Sequence, residues 1–140
     1  MSDKNLSENK LHLKITTHEK VVFDGEVDEI YSRGMDGEFG ILPNHIPFMC
    51  ALDIGLTRIV ANGEHDCFTT MGGIFQVKDN EALILTPIAE RSCEIDIMRA
   101  KEAKERAEQR LTECADDVDA KRAEIALARS IARLKASPKK

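Results

Sequence analysis

Apolar and polar residues alternate over the first two thirds of the chain and then recur every three or four positions. From Leu11 to Thr16 every second residue is apolar, which is typical of a strand with one buried face. After Cys93 there is no glycine, and alanines and charged residues become frequent, as in a helix. The pattern changes once, within Ile88–Leu111. We therefore predict a β domain over residues 1–92 and a helical domain over residues 93–140.

Turn-forming pairs divide the first domain into short strands. Asp24-Gly25, Asn62-Gly63 and Asp79-Asn80 each follow an apolar segment and are typical of tight hairpin turns. Parallel neighbours would need crossover connections of about a dozen residues or more, which this segment lacks. These strands predict an antiparallel β-sandwich, so the whole chain belongs to the α+β class.

The segment Gly34–Pro47 interrupts this pattern with three glycines and two prolines. Such a segment cannot be a regular strand throughout. We expect its tip, Asp36-Gly37-Glu38, to be exposed. The residues alone leave two interpretations, a turn between sheets or a contact surface, because most loops of this composition only reverse the chain.

Two apolar stripes predict a helical hairpin in the second domain. We place the first helix over Ile95–Glu113 and a second helix after a cap at Asp116 or Asp117. The stripe of the first helix contains Ile97, Ala100, Ala103, Ala107, Leu111 and Cys114, and that of the second contains Val118, Ile125, Ala128, Ile131 and Leu134. Burial of apolar surface stabilises a fold by roughly 25 cal/mol per Å², and small side chains bury little of it. We therefore expect a hairpin that can open.

Composition restricts the core and the cysteines. With no Trp and 4% aromatic residues, the core should consist of Ile, Leu, Val and Ala. The four cysteines, Cys50, Cys67, Cys93 and Cys114, contain no C-x-x-C pair, so zinc and redox motifs are unsupported. We expect reduced and mostly buried thiols.

Charge and targeting signals favour a protein of the cytosol, or of the cytosolic face of a membrane, without general affinity for nucleic acid. The net charge is -5, which argues against general binding to nucleic acid or anionic lipid. The hairpin is balanced, but every charged residue beyond Glu124 is basic. That bias suits either the helix dipole or an acidic docking surface on a partner. We expect neither a membrane span nor a signal or transit peptide, which favours a bacterial protein.

No recognised catalytic motif is present. The sequence lacks G-x-S-x-G, H-E-x-x-H, G-x-x-x-x-G-K and G-x-G-x-x-G, the usual signatures of hydrolases, metalloproteases and nucleotide-binding enzymes. Asp36, Glu38 and His45 could be imagined as an acid/base set. Solvated loop charges are the better interpretation, since exposed carboxylates keep ordinary acidity.

Four arginines could converge when the hairpin folds. Arg99 and Arg106 are two turns apart on the first helix, and Arg129 and Arg133 are one turn apart on the second. Guanidinium groups match phosphate oxygens in pairs, so a polyphosphate would suit them. Alternatively, these arginines pair with nearby carboxylates at helical spacing.

Groups near the domain junction complete this candidate site. Glu90 and Asp96 could accept hydrogen bonds from a ribose or an amino group. Ile95 and Ala100 offer an apolar surface to a flat ring.

Three runs, DGEFGILPNHIPF, TMGGIFQVKDN and IDIMRAKEAKERA, resemble the epsilon-subunit family of the bacterial F-type ATP synthase. The resemblance extends from about Leu11 to Lys135. It implies a sandwich of about ten strands, then a helical hairpin. It also implies a non-catalytic central-stalk subunit that binds the gamma subunit and the c-subunit ring, peripheral on the cytoplasmic face of the inner membrane, and couples ion flow to ATP synthesis.

The same resemblance assigns partners and a ligand to individual residues. Asp36, Gly37, Glu38 and His45 would face the c-ring, with Glu38 paired to a basic side chain, which favours a contact surface over a simple turn. In the family the hairpin lies folded on the sandwich or extends into the alpha/beta hexamer, where it blocks ATP hydrolysis. There its basic second helix meets an acidic segment of the beta subunit.

The resemblance also implies an ATP site that favours the folded hairpin. The pattern Ile/Leu-Asp-x-x-Arg-Ala matches Ile95, Asp96, Arg99 and Ala100, with Glu90, Arg106, Arg129 and Arg133 in supporting positions. ATP would be a regulatory ligand, with no required cofactor and no metal site. Two other function classes are a free-standing ATP-sensing protein, which would not associate with gamma, and an enzyme, which would turn over alone.

Overall fold

The computed structural model describes residues 10–113 and 116–137 of the chain. These residues form eight strands, a 3-10 turn at Ser92–Glu94 and two α helices. The elements are β1 Leu11–Thr16, β2 Val21–Val27, β3 Glu29–Gly34, β4 Gly37–Ile41, β5 Phe48–Ala61, β6 Glu64–Lys78, β7 Glu81–Leu85, β8 Ala89–Arg91, α1 Ile97–Glu113 and α2 Asp117–Ala136. Neither helix has a stretch long and apolar enough to cross a membrane within these residues.

Two long strands connect the layers of the sandwich. The strand order is β2-β1-β7-β6-β5-β3-β4, and β8 is added to β6. β5 and β6 pair along almost their whole length, but β6 changes its other neighbour from β8 at Phe68–Thr70 to β7 at Ile74–Lys78. Each long strand thus serves both layers, so the described residues contain eight strands rather than the expected ten.

Gly72 and Gly73 form the bend of β6 between these two pairings. Their φ angles are +82° and +108°, in the region that glycine enters without steric cost. A Cβ atom at Gly73 would lie 2.0 Å from the carbonyl oxygen of Leu85. The bend therefore requires glycine at position 73 for space as well as for backbone angle.

The predicted antiparallel sandwich is confirmed, with two local corrections. β1 and β7 pair in parallel, because the strands between them in sequence supply the long crossover. Asp24-Gly25 is not a turn, since β2 runs straight through it and pairs with Lys14 and Leu13 of β1. The predicted turns at Asn62-Gly63 and Asp79-Asn80 are confirmed, with positive φ at all four residues.

Phenylalanine contributes more to the core than composition suggested. Leu11, Leu13 and Ile15 are fully buried as predicted, but so are Phe68 and Phe75. The other three phenylalanines pack against the same core. The expectation of an entirely Ile, Leu, Val and Ala core was therefore wrong.

The cysteines are less buried than expected. Cys50 and Cys67 are half-buried and Cys93 is exposed, whereas Cys114 lies outside the described residues. Burial raises the pKa of the Cys67 thiol and, with the nearby Asp36 charge, that of Cys50. Both thiols are thereby held in their less reactive, protonated form.

The helical hairpin lies folded on the sandwich. α2 contacts β5 and β6 on one side and α1 on the other, and Asp116 caps α2 by accepting a hydrogen bond from the Asp119 amide. The predicted apolar stripe of α2 was wrong for Val118 and Ile125, which are 60% and 46% exposed. The buried residues of α2 are instead the small side chains Ala123, Ser130, Ala132 and Ala136.

Candidate functional site

A cleft of about 380 Å³ lies where β8, the start of α1 and the second half of α2 meet. It is lined by residues from each of these elements, so the folded hairpin completes it. Seven of the eight residues proposed from the sequence line it, namely Glu90, Ile95, Asp96, Arg99, Ala100, Arg106 and Arg133.

An ion pair joins α2 to the sandwich inside this cleft. Nε of Arg133 donates to Oε1 of Glu90 at 2.7 Å. The two side chains are 28% and 34% exposed, so water screens their charges only in part. This contact ties the end of the hairpin to β8, 43 positions earlier in the chain.

Asp96 has a structural role at the start of α1. The amide of Arg99 donates to Oδ1 of Asp96 at 3.1 Å, and the amide of Ala100 donates to its backbone oxygen at 3.0 Å. This is the geometry of a helix N-cap. The spacing of Asp96, Arg99 and Ala100 therefore serves helix initiation as well as any ligand, and one carboxylate oxygen is already engaged.

Carboxylates balance the arginines of the cleft. Glu90, Glu94 and Asp96 lie with Arg99, Arg106 and Arg133, so the formal charge of the lining is near zero. Among the described residues neither Arg99 nor Arg106 forms an ion pair. Both side chains are exposed, and their guanidinium groups remain available to an anion.

Arg129 is the candidate that does not line the cleft. It lies one turn before Arg133 on α2, and its Nε atom is buried without a hydrogen-bond partner among the described residues. A buried donor without a partner is unfavourable. The predicted convergence of four arginines is thus a cluster of three, with the fourth beside it.

The residues of the predicted contact surface lie in two separate segments, the turn into β4 and the loop before β5. Asp36 lies in the turn between β3 and β4, and Gly37 and Glu38 begin β4. All three are exposed, as predicted. His45 is half-buried, with Nδ1 2.7 Å from the Ile46 carbonyl oxygen. Among the described residues no hydrogen bond joins His45 to Asp36 or Glu38, so the structure does not support an acid/base set.

The loop before β5 is held in place and carries exposed apolar side chains. The Asn44 amide donates to Oδ1 of Asn80 in the β6–β7 turn at 2.6 Å. Next to it Ile46 is 75% exposed and Leu42 is 52% exposed. These two exposed apolar side chains lie on the same loop as His45 of the predicted contact surface.

A second apolar surface was missed by the sequence analysis. The register places Ala51, Ile74, Leu85, Thr16 and Val21 in one row across five neighbouring strands. Ile74, Leu85 and Val21 are each nearly half exposed. We call these five residues the apolar row. The run of apolar residues in Ala82–Leu85, which does not alternate, was the available signal that both faces of β7 are apolar.

The chain matches two family models in sequence order. The beta-sandwich domain of the ATP synthase Delta/Epsilon chain matches residues 10–92. The long alpha-helix domain of the same chain matches residues 94–137.

Bacterial relatives match over nearly the whole chain. The ATP synthase epsilon chain of Nitratidesulfovibrio vulgaris is 46% identical over 128 residues, which cover 91% of this chain and 96% of that one. The ATP synthase epsilon chain of Desulforamulus reducens is 46% identical over 125 residues, covering 89% and 95%.

Solved structures show the same fold. A chain of the Euglena gracilis mitochondrial ATP synthase, in a cryo-EM structure of OSCP/F1/c-ring, matches with a TM-score of 0.81 and 26% identity, covering 91% of this chain and 81% of that one. A chain of the Tetrahymena thermophila mitochondrial ATP synthase central stalk and c-ring matches with a TM-score of 0.61 and 17% identity, covering 94% and 98%.

Proposed function

The chain belongs to the Delta/Epsilon chain family of ATP synthase subunits, and we propose that it couples rotation to ATP synthesis and restrains ATP hydrolysis through a mobile hairpin. It is a non-catalytic epsilon subunit of the central stalk of an F-type ATP synthase. We propose further that the enzyme is proton-translocating and that this subunit lies on the cytoplasmic face of the membrane, held there by the complex.

The small contact between hairpin and sandwich is the observation that supports a mobile hairpin. The buried residues of both helices are alanines and one serine, so undocking exposes little apolar area. The basic residues Arg129, Arg133 and Lys135 would then be available to an acidic segment of the beta subunit in the extended state.

ATP is the ligand that best suits the cleft. The phosphates would lie on Arg99, Arg106 and the terminal nitrogens of Arg133, since guanidinium groups bind phosphate oxygens in pairs. The base would lie against Ile95 and Ala100. Arg129 would take part only after its side chain turns toward the cleft.

Bound ATP would favour the folded hairpin. Glu90, Arg99 and Arg133 belong to β8, α1 and α2, so a ligand that contacts them bridges elements that separate when the hairpin opens. Such a ligand stabilises the closed state by its difference in affinity between the two states. The effect grows with ligand concentration relative to Kd.

Calorimetric titration of the full chain with ATP, with and without Mg²⁺, tests this site. We expect saturable binding that Arg99→Ala and Arg133→Ala each weaken about tenfold or more, because a charge-assisted hydrogen bond contributes about 1.5–3 kcal/mol. Arg122→Ala, on α2 but outside the cleft, is the matched control. Unchanged binding in both cleft variants would contradict the assignment, and no binding at millimolar ATP would remove the nucleotide role but leave the stalk role.

Two surfaces of the sandwich suit the stalk partners. The apolar row, which spans five strands, suits the gamma subunit, because exposed apolar patches commonly mark stable protein interfaces. The exposed residues Asp36, Gly37 and Glu38, at the turn into β4, would together with His45 and its loop suit the polar loops of the c-ring.

Copurification with the gamma subunit tests the first surface. Leu85→Asp would place a charge in the apolar row, so we expect loss of gamma from the purified complex. Ile125→Asp, equally exposed but on the hairpin, should retain gamma. If wild-type chain does not associate with gamma at all, a free-standing ATP sensor becomes the better interpretation.

A further inference from the structure

We propose that Thr69 is the positioning residue that sets Glu90 for its contact with Arg133, and so controls how firmly the hairpin is held. This inference rests on the hairpin movement proposed above but not on ATP binding. Thr69 lies on β6, directly opposite Glu90 of β8. Its side chain is fully buried. Among the described residues its hydroxyl forms hydrogen bonds with Glu90 and with no other residue of the candidate ATP site.

The Thr69 hydroxyl contacts Glu90 at two points. Its oxygen accepts a hydrogen bond from the Glu90 amide at 3.2 Å, and its proton is donated to Oε1 of the Glu90 carboxylate at 3.4 Å. The hydroxyl therefore fixes the side chain relative to its own backbone. A flexible glutamate would otherwise lose rotamer freedom on pairing with Arg133.

The same carboxylate oxygen receives the hairpin. Oε1 of Glu90 accepts from the Thr69 hydroxyl and from Nε of Arg133. The chain of contacts thus runs from a buried strand, through a half-exposed carboxylate, to the last turns of α2. Preorganising one partner strengthens an ion pair, because less entropy is lost when the pair forms.

The strand that carries Glu90 is also fixed from its inner side. The next residue, Arg91, lies with its guanidinium carbon 5.2 Å from the Phe68 ring centroid and pairs with Asp66 at 3.1 Å. β8 is therefore anchored to β6 when the hairpin leaves. Glu90 thus stays in position, and the ion pair with Arg133 can form again when the hairpin returns.

Thr70 provides a matched control. It is equally buried, but its hydroxyl contacts that of Thr57 at 3.1 Å, on the other face of β6. Thr70→Val and Thr69→Val each remove one buried hydroxyl from neighbouring positions. Only the second removes a contact to Glu90.

Amide hydrogen exchange of α2 in the full chain, without nucleotide, measures hairpin opening. We expect Thr69→Val to speed exchange in α2 by about fivefold, from the net contribution of a typical hydrogen bond. Thr69→Ser should restore wild-type exchange, because it keeps the hydroxyl. Thr70→Val should leave α2 exchange unchanged, whatever it does to the stability of the sandwich.

The Arg133 Nε–H resonance in NMR spectra of ¹⁵N-labelled protein gives a direct signature. The proton should be slow to exchange in wild type, Thr69→Ser and Thr70→Val, and fast in Thr69→Val. In a Glu90→Ala background Thr69→Val should add nothing. Equal effects of Thr69→Val and Thr70→Val on α2, or a full Thr69→Val effect without Glu90, would overturn the proposal. ATP binding is measured separately, so its absence would leave this result intact.

Discussion

The sandwich and the hairpin differ in the size of the side chains that they bury. Leu, Ile, Val and Phe residues fill the sandwich core, whereas the buried residues of α1 and α2 are alanines and one serine. Because stabilisation follows the apolar area removed from water, the sandwich holds itself together. The hairpin depends on a few small contacts and on the Glu90–Arg133 pair. The sandwich thus has an apolar core of its own, whereas the hairpin buries mainly small side chains.

The largest effect should come from the bend of the sandwich. Gly73→Ala combines a positive φ with a Cβ atom 2.0 Å from a backbone oxygen, so we expect a loss of about 4 kcal/mol in the free energy of unfolding. Urea denaturation measures it. Gly72→Ala is the control, since the atom nearest to its added Cβ would be 3.8 Å away. Only the cost of the positive φ remains there, about 1–3 kcal/mol. Equal losses in the two variants would contradict this account of the bend.

An intermediate effect should be confined to the hairpin. Ala132 is 4% exposed and lines a groove that α2 forms with β3, β4 and β5. Ala132→Met should overpack this contact by about 1–3 kcal/mol, which undocks α2 and speeds its amide exchange about tenfold or more. The strands should keep their protection.

Val118→Met is the matched variant on the exposed side of α2, where substitutions change stability by less than about 0.5 kcal/mol. If Ala132→Met destabilised the strands as much as the helix, the two regions would unfold as one unit. The contrast between sandwich and hairpin would then be wrong.

The smallest effect should be a pH dependence at the edge of the sandwich. A hydrogen bond and ion pair with Asp24 raise the pKa of His12 above 6.5. A group with a raised pKa in the folded state adds stability that is complete below its unfolded pKa and is lost as pH rises through the folded value. Since both side chains are about half exposed, we expect less than about 1 kcal/mol.

Urea unfolding measured between pH 5 and pH 8, the range in which histidine titrates, should show that the free energy of unfolding falls above pH 6.5. His12→Gln and Asp24→Asn should each flatten the profile to the same degree, because each removes one partner of the pair. A profile that stays unchanged in both variants would show that other groups cause the pH dependence.

Local patterns predicted the elements better than their pairing. The alternation at Leu11–Thr16 and the turn at Asn62-Gly63 act through neighbouring residues, so they could be recognised in the sequence. Asp24-Gly25 has the same turn chemistry, but β1 pairs with it and holds it extended. The predicted stripe of α2 was wrong at Val118 and Ile125, because the fully buried positions of α2 are instead occupied by Ala123, Ser130, Ala132 and Ala136.

The candidate site shows the same division. The spacing of Asp96, Arg99 and Ala100 was visible, but their role as an N-cap depends on helix geometry. The contact between Glu90 and Arg133 joins residues 43 positions apart, and no periodicity connects them. The apolar row and the role of Thr69 likewise depend on strand register.

By itself, the sequence determined that a β domain precedes a helical hairpin, because hydrophobic periodicity and turn chemistry are properties of adjacent residues. The three runs that resemble the epsilon-subunit family also identified the family. Only the tertiary structure decided that the long strands serve both layers, that the hairpin lies on β5 and β6, and that one carboxylate oxygen meets both Thr69 and Arg133. These contacts depend on how distant segments pack, and packing is settled by the fit of all the side chains together.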